Sequence, residues 1–418
     1  IKSNRKRILF GASALIIAFV ITTSVISTSA SAAGFAVREQ STSGLGSAFA
    51  GNAAGYDLST IYWNPAGVAI AGPGVTTESH AALIIPDSEL TSLSPLADTA
   101  NDIGKAALVP GSYGAYRIND KLTIGYGFNA PFGLGSEADR KVWGGDFEFR
   151  EAALTTYNFN PVMGYQISPT LAVGLGLQVQ YSDLRLDQAI GPGGPSAQIK
   201  GDDWSFGFTA GLLWKPTEAT SIGLGYRSRL NHKFEGEFNT PAPGSFPINA
   251  NLDMPEIATV SLRQAISENT RLLATFEWTN WSILKTVPIN GSPIPLQIEA
   301  NWDDGYFLSG GIEYDLNQKL TVRAGVAYEW SPIQEPTQRL VYVPDADRVW
   351  LSAGATYKYS EHTSFDFAYT HIFIEDSSIL RPSTFRADVE SSVDIIGVSM
   401  KTKWGADGPL GLLKGLSN

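Results

Sequence analysis

The groups in this sequence best suited to chemistry are arginines set in alternating runs. With Leu224 and Tyr226 on one face of a strand, Arg227 and Arg229 fall on the other. Arg263 stands opposite Val260 and Leu262, and Arg323 opposite Val322 and Ala324. Successive strand residues point to opposite faces, so with the apolar side outward all four guanidiniums face an interior. A planar guanidinium recognises a carboxylate through paired, charge-assisted hydrogen bonds. Lys401, Glu277, Glu329 and Asp366 share that inward parity, which opens a competing reading: the interior charges neutralise one another, as charges within a wall must.

Catalysis fits poorly. The histidines are His80, His232, His362 and His371, and cysteine is absent. No G-x-S-x-G or H-x₃-H pattern occurs, so neither a nucleophile–base pair nor a zinc site is expected, and no cofactor. The absence of cysteine also excludes a disulfide framework. The chain has 418 residues and a net charge of −11, which argues against nucleic acid or an anionic membrane surface as partner.

The elements that position these groups read as long strands. In "TLAVGLGLQVQY", Leu171, Val173, Leu175, Leu177, Val179 and Tyr181 alternate with Ala172, Gly174, Gly176, Gln178 and Gln180. Trp204 to Trp214 and Leu320 to Trp330 repeat the pattern, with aromatics at the ends of the apolar stripes. Runs of this length exceed ordinary sandwich strands. With 42 glycines, 11 % aromatic and only 17 % charged residues, they suit a membrane barrel with aromatic girdles. Short turns at Asn119-Asp120, Ser168-Pro169, 215–219, 267–269, 315–318 and Ser360-Glu361 alternate with long loops near 87–108, 133–150, 189–202, 234–250, 286–297, 331–344 and 377–388. The expected fold is all-β: an antiparallel transmembrane barrel of about fourteen strands over 73–404, short turns periplasmic. A C-terminal extension, 405–418, has no reading.

Two N-terminal segments are not barrel. Lys2, Arg5, Lys6 and Arg7 precede the apolar run Ile8 to Ile26 and the A-x-A site Ala30-Ser31-Ala32. Residues 1–32 read as a secretory signal peptide, an uncleaved anchor being the alternative. Its removal takes away four basic and no acidic residues, shifting the charge from −11 to −15. Residues 33–72 are rich in Gly, Ala and Ser, yet carry Phe35, Leu45, Phe49, Leu58, Ile61, Tyr62 and Trp63. That is too apolar for a solvated tail and suits a plug, or hatch, filling the lumen.

The stretch "AAGFAVREQSTSGLGSAFAGNAA…IYWNPAG", with "YGFNAPFGL" (Tyr126 to Leu134) and Trp143 further on, resembles the FadL family of outer-membrane transporters for fatty acids and other hydrophobic compounds. The resemblance runs through the whole mature chain. It implies a monomeric barrel in the outer membrane of a Gram-negative bacterium, inserted by the barrel assembly machinery. The hatch turn would be Asn64, Pro65 and Ala66. The turn would lie beside a kinked third strand whose gap opens towards outer-membrane lipid. The kink would fall at Gly125, Gly127, Phe128, Asn129 and Pro131, where proline removes a ladder donor and glycines allow bulges. A long-chain fatty acid or other hydrophobic small molecule is the expected ligand, with Arg227, Arg229, Arg263 or Arg323 for its carboxylate. Phe132, Leu134, Trp143, Phe147 and Phe149, with Leu90, Leu93 and Leu96 in the first loop, are candidates for a capture groove. Uptake of aromatic or aliphatic hydrocarbons is the alternative in the same fold. A diffusion porin would not need the plug, and a barrel lipase would need a catalytic constellation.

Overall fold

The computed structural model describes residues 33–93, 100, 102–138, 143–190, 193–241, 244–381 and 385–405. Residues 1–32, read above as a signal peptide, the segment beyond 405 and Leu96 lie outside these residues.

The alternating runs pair into one closed antiparallel barrel of fourteen strands. They are β1 (Gly74–Ser92), β2 (Ala107–Arg117), β3 (Leu122–Asn129 with Gly133–Glu137), β4 (Glu151–Ser168) and β5 (Leu171–Ala189). Next come β6 (Ser196–Thr217), β7 (Thr220–Arg227 with Leu230–Asn239), β8 (Ser245–Met254 with Ile257–Ala265) and β9 (Thr270–Thr279). The last are β10 (Gly305–Asp315), β11 (Leu320–Trp330), β12 (Arg348–Lys358), β13 (Thr363–Ile374) and β14 (Phe385–Gly405). β1 closes on β14, with Ala82 opposite Gly397.

The parity follows the sequence pattern. On β5, Leu175 and Leu177 are exposed while Ala172, Gly174, Gly176, Gln178 and Gln180 are buried. Much of what reads as long loop is strand. β5 and β6 pair out to Ala189 and Ser196. The 230–254 region is a hairpin, and 286–289 pairs with 296–299. The barrel strands β5 to β8 continue past the aromatic level into polar sequence, where the apolar stripe that marks a membrane strand has ended, while 286–299 forms a separate hairpin.

Residues 33–72 lie inside the ring, touching it on every side. Leu58 N donates to Glu78 Oε2 on β1 (2.9 Å), and the Tyr113 hydroxyl on β2 donates to Gln40 O (2.9 Å). Ala53 N donates to Ser261 Oγ on β8 (3.1 Å), Gly51 N to Thr275 Oγ1 on β9 (2.9 Å), and the Thr370 hydroxyl on β13 to Leu45 O (3.2 Å). The apolar residues of the segment supply a core: Val37, Leu45, Phe49, Leu58, Ile61 and Trp63 pack with Tyr113, Phe307, Trp350 and Ile395. A second core beneath the long loops joins Phe35, Phe132, Trp143, Phe149, Trp281, Trp302 and Phe385.

Candidate functional site

The β2–β3 ladder ends at Ser112 opposite Phe128, and β3 is interrupted at residues 130–132. Above the interruption the wall closes again, Gly104 bridging Ser136. Across the gap runs the backbone of residues 35–37. Val37 N donates to Pro131 O (2.9 Å), Gly133 N donates to Phe35 O (2.9 Å), and Ala36 bridges Phe132. The Gln40 amide donates to Ala130 O (2.8 Å) and accepts from Ala130 N (3.3 Å). The N-terminal segment thus supplies the hydrogen bonds that a neighbouring strand would make. Phe35 fixes it from above, its ring 4.6 Å from Trp281 and 6.1 Å from Phe132.

Of the expected kink residues, Asn129 is buried with its Oδ1 accepting from Asn158 (3.1 Å), and Phe128 stacks on Tyr157 at 6.2 Å. Gly125 and Gly127 belong to the regular part of β3 below the break, where Gly125 makes room for Val68. The break itself is Ala130-Pro131-Phe132.

The Asn64-Pro65-Ala66 turn does not sit at this gap. It rests on a row of glycines across four neighbouring strands, Gly164, Gly174, Gly211 and Gly225, each the ladder partner of the next. A Cβ on Gly174 would stand 2.2 Å from Ala66 N, and one on Gly225 1.8 Å from Trp63 O. Asn64 ties the turn down: its Nδ2 donates to Ala53 O (2.8 Å) and Leu212 O (2.9 Å), and its Oδ1 caps Ala66 N (3.0 Å). The turn anchors the segment to β5–β7, while residues 35–40 occupy the gap.

Three of the four candidate arginines are committed to carboxylates. Arg263 and Arg271 both meet Glu313, and Arg271 also meets Asp315 (2.8 Å). Arg323 lies 3.4 Å from both Glu313 and Asp366 and donates to the Tyr56 hydroxyl. Arg229 does not face the lumen as parity implies: β7 breaks at Ser228-Arg229, and the side chain, half-exposed, pairs with Glu256 (2.9 Å). Arg227, buried to 4 % exposure, has no carboxylate partner among the described residues. It donates to Tyr62 O (3.0 Å) and Gln178 Oε1 (2.5 Å) and lies over the Tyr62 ring.

The sequence reading missed a further charge cluster. Arg38, beside the gap, reaches across the lumen to Glu277 on β9 (2.6 Å) and Glu329 on β11 (3.0 Å) and covers the Phe307 ring. Glu329 also accepts from Trp350 Nε1 (3.0 Å) and lies 3.9 Å from Arg348, whose main partner is Asp345.

The long-loop end holds a groove with about 420 Å³ of open volume. Phe149, Leu186, Ile199, Ile289, Leu296 and Val341 give it apolar walls, with Arg381 at its edge. Tyr342 also lines it, and burial, opposed by Arg381, pushes its phenol up, so it stays neutral. Phe147 and Phe149 from the expected set line this groove. Leu134 instead lines a crevice beside the gap, with Ile103, Val343 and Arg348. Phe132 and Trp143 are core: Trp143 packs on Phe385 at 5.2 Å and donates to Phe149 O (3.2 Å). Leu90 is buried and Leu93 exposed.

Residues 23–404 match the family model described as outer membrane protein transport protein (OMPP1/FadL/TodX). The chain belongs to this family. Membership makes it an outer-membrane transporter of hydrophobic compounds in a Gram-negative envelope. It is 30 % identical over 386 residues to the 47 kDa outer membrane protein of Pasteurella multocida, covering 83 % of this chain and 89 % of that one. It is 27 % identical over 422 residues to the long-chain fatty acid transport protein of Escherichia coli K12, covering 88 % and 93 %. A FadL homologue from Pseudomonas aeruginosa shares the fold with a TM-score of 0.80 at 22 % identity, over 88 % of this chain and 99 % of that one. The Pseudomonas putida toluene transporter TodX shares it at 0.69 and 16 %, over 89 % and 100 %. In this chain the wall gap is closed by its own N-terminal backbone, and Arg38 ties that segment to the far wall.

Proposed function

We propose that the chain carries long-chain fatty acids, capturing them in the groove at the long-loop end and releasing them sideways through the gap at 130–132. Residues 33–72 act as the hatch, and 35–40 as its moving part. The observation that carries this reading is the closure of the gap by hydrogen bonds from residues 35, 37 and 40 rather than from β2. Such a closure opens without breaking the barrel ladder. The groove and the crevice at Leu134 offer the tail an apolar path, worth about 0.8 kcal/mol per buried CH₂. Arg227, whose present partners are carbonyl oxygens and a ring, offers the carboxylate a cation not already neutralised by an acid.

Hydrocarbon uptake is the second reading. It is favoured by the ion pairing of Arg38, Arg263 and Arg323, which leaves little uncommitted positive charge in the lumen.

The chain contains no cysteine, so an Ala36→Cys/Phe132→Cys pair can be cross-linked cleanly across the bridge that closes the gap. The oxidised protein is expected to lose fatty-acid uptake and the reduced protein to regain it. Full uptake with the cross-link complete would exclude the lateral route.

A further inference from the structure

The wall has a second discontinuity, between β6 and β7. Their ladder pairs Thr209 with Arg227 and resumes only at Asp202 opposite Glu235. Between these points residues 203–208 face 228–234, and side chains make most of the links. Asp203 Oδ2 accepts from Lys233 N (3.0 Å) and pairs with His232 Nδ1 (3.1 Å). The Ser205 hydroxyl donates to Asn231 O (2.9 Å), and Ser228 Oγ accepts from Phe208 N (2.9 Å). A direct backbone bond joins Ser228 N to Phe208 O (2.9 Å), and the Gln178 amide donates to both Phe208 O (3.2 Å) and Ser228 O (3.1 Å). A seam held through side chains is wider than a ladder and opens at lower cost.

A track of uncharged polar side chains leads along the inner wall to this seam, whose own links include the Asp203–His232 pair. Asn129, Asn158, Gln180 and Ser205 are successive ladder partners across β3, β4, β5 and β6. All four are buried. At one end Asn129 lies directly below the broken stretch of β3. At the other, the Gln180 amide meets His232 Nε2 at 3.1 Å inside the seam. Among the described residues, Asn129 Nδ2, Asn158 Oδ1 and Gln180 Oε1, with the flanking Asn160 Oδ1 and Ser182 Oγ, have no hydrogen-bond partner. Buried polar atoms are nearly always satisfied, so orphans concentrated on one track mark a place where a hydrogen-bonding guest belongs. Outside the seam stand Trp204, Phe206 and Phe208, with Phe206 71 % exposed, an apolar surface suited to an alkyl chain.

We infer that the β6–β7 seam is a second lateral port, which passes alkyl amphiphiles with an uncharged, hydrogen-bonding head group such as a primary alcohol. Amides and hydroxyls both donate and accept, so they match a hydroxyl and give a bare hydrocarbon nothing. The inference rests on the lateral-transport reading above.

The test is a Gly207→Cys/Ser228→Cys pair, since a Cβ on Gly207 would stand 2.6 Å from Ser228 Oγ. Permeation into proteoliposomes is measured for 1-dodecanol and n-dodecane, in oxidised and reduced protein. Oxidation is expected to slow the alcohol about tenfold and leave the alkane unchanged. Gln180→Met, which keeps side-chain length and deletes the amide, is expected to give the same selectivity loss without a cross-link. Alcohol permeation unaltered by both changes, or an equal fall for both probes, would overturn the port. The Ala36→Cys/Phe132→Cys lock separates the two ideas. If that lock stops both probes and the seam lock stops neither, only the second port fails. If neither lock slows either probe, the lateral reading itself fails.

Discussion

Gly211 lies so close beneath Asn64 that a Cβ on the glycine would stand 1.9 Å from Asn64 Oδ1. The wall and the Asn64-Pro65-Ala66 turn therefore fit each other at backbone level, and a larger residue in the wall must push the turn away. Gly211→Val suits a strand intrinsically, so the barrel is expected to assemble. Overpacking is expected to cost about 1–3 kcal/mol and to loosen residues 60–70. Limited proteolysis of the folded barrel checks this: cleavage should appear within residues 33–72 and not in the wall.

Asn64→Ala addresses the same joint from the other side. It removes the cap on Ala66 N and leaves Ala53 O and Leu212 O without their donor. A lost cap costs about 0.5–2 kcal/mol, and unsatisfied buried carbonyls add to it. A lowered melting temperature in detergent and changed transport, with normal barrel assembly, are the expected results. An unchanged melting temperature would contradict the anchoring role.

The barrel was legible because parity repeats: Leu175 and Leu177 announce lipid, and Gly174 and Gln178 a lumen. The break in β3 was legible through Pro131. What the glycines do was not, because a lumen-facing glycine reads the same whether it borders water or another backbone; only the register of Gly164, Gly174, Gly211 and Gly225 shows a seat. Arg229 was misplaced because parity holds only while a strand is regular, and Ser228-Arg229 carries no glycine or proline to announce its break. Arg38 was invisible as a tether, since its partners Glu277 and Glu329 are more than two hundred residues away in the chain.

That tether makes its own prediction. Arg38→Ala leaves Glu277 and Glu329 facing a buried space without their shared cation, a change worth about 3–5 kcal/mol for a buried pair. The segment over the gap should then be held by its backbone bonds, the Gln40 amide and the packing of Phe35, with no ion pair to the far wall. In planar bilayers the variant is expected to show conductance openings that the parent lacks. Adding Glu277→Gln and Glu329→Gln removes the stranded charges and should recover much of the melting temperature while the openings persist. A quiet triple variant would assign Arg38 to stability only.

Arg227 and Arg263 distinguish ligand binding from structure. Both face inward, but Glu313 neutralises Arg263 and keeps Arg271 and Arg323 when Arg263 is lost. Arg263→Ala should therefore lower stability modestly and leave uptake as it was. Among the described residues Arg227 has only Tyr62 O, Gln178 Oε1 and the Tyr62 ring as contacts, and a carboxylate would outcompete those neutral acceptors. Its capture would also free the backbone of the helical turn Thr60–Trp63, coupling the head group to the hatch. Arg227→Met is expected to reduce fatty-acid uptake by about tenfold or more, the value of one charge-assisted hydrogen bond. Uptake of an alkane should change little. Competition uptake with a labelled fatty acid and an alkane in the same cells reads both at once. Equal loss of the two would make Arg227 a structural brace of the hatch, and undiminished fatty-acid uptake would remove it from the ligand path.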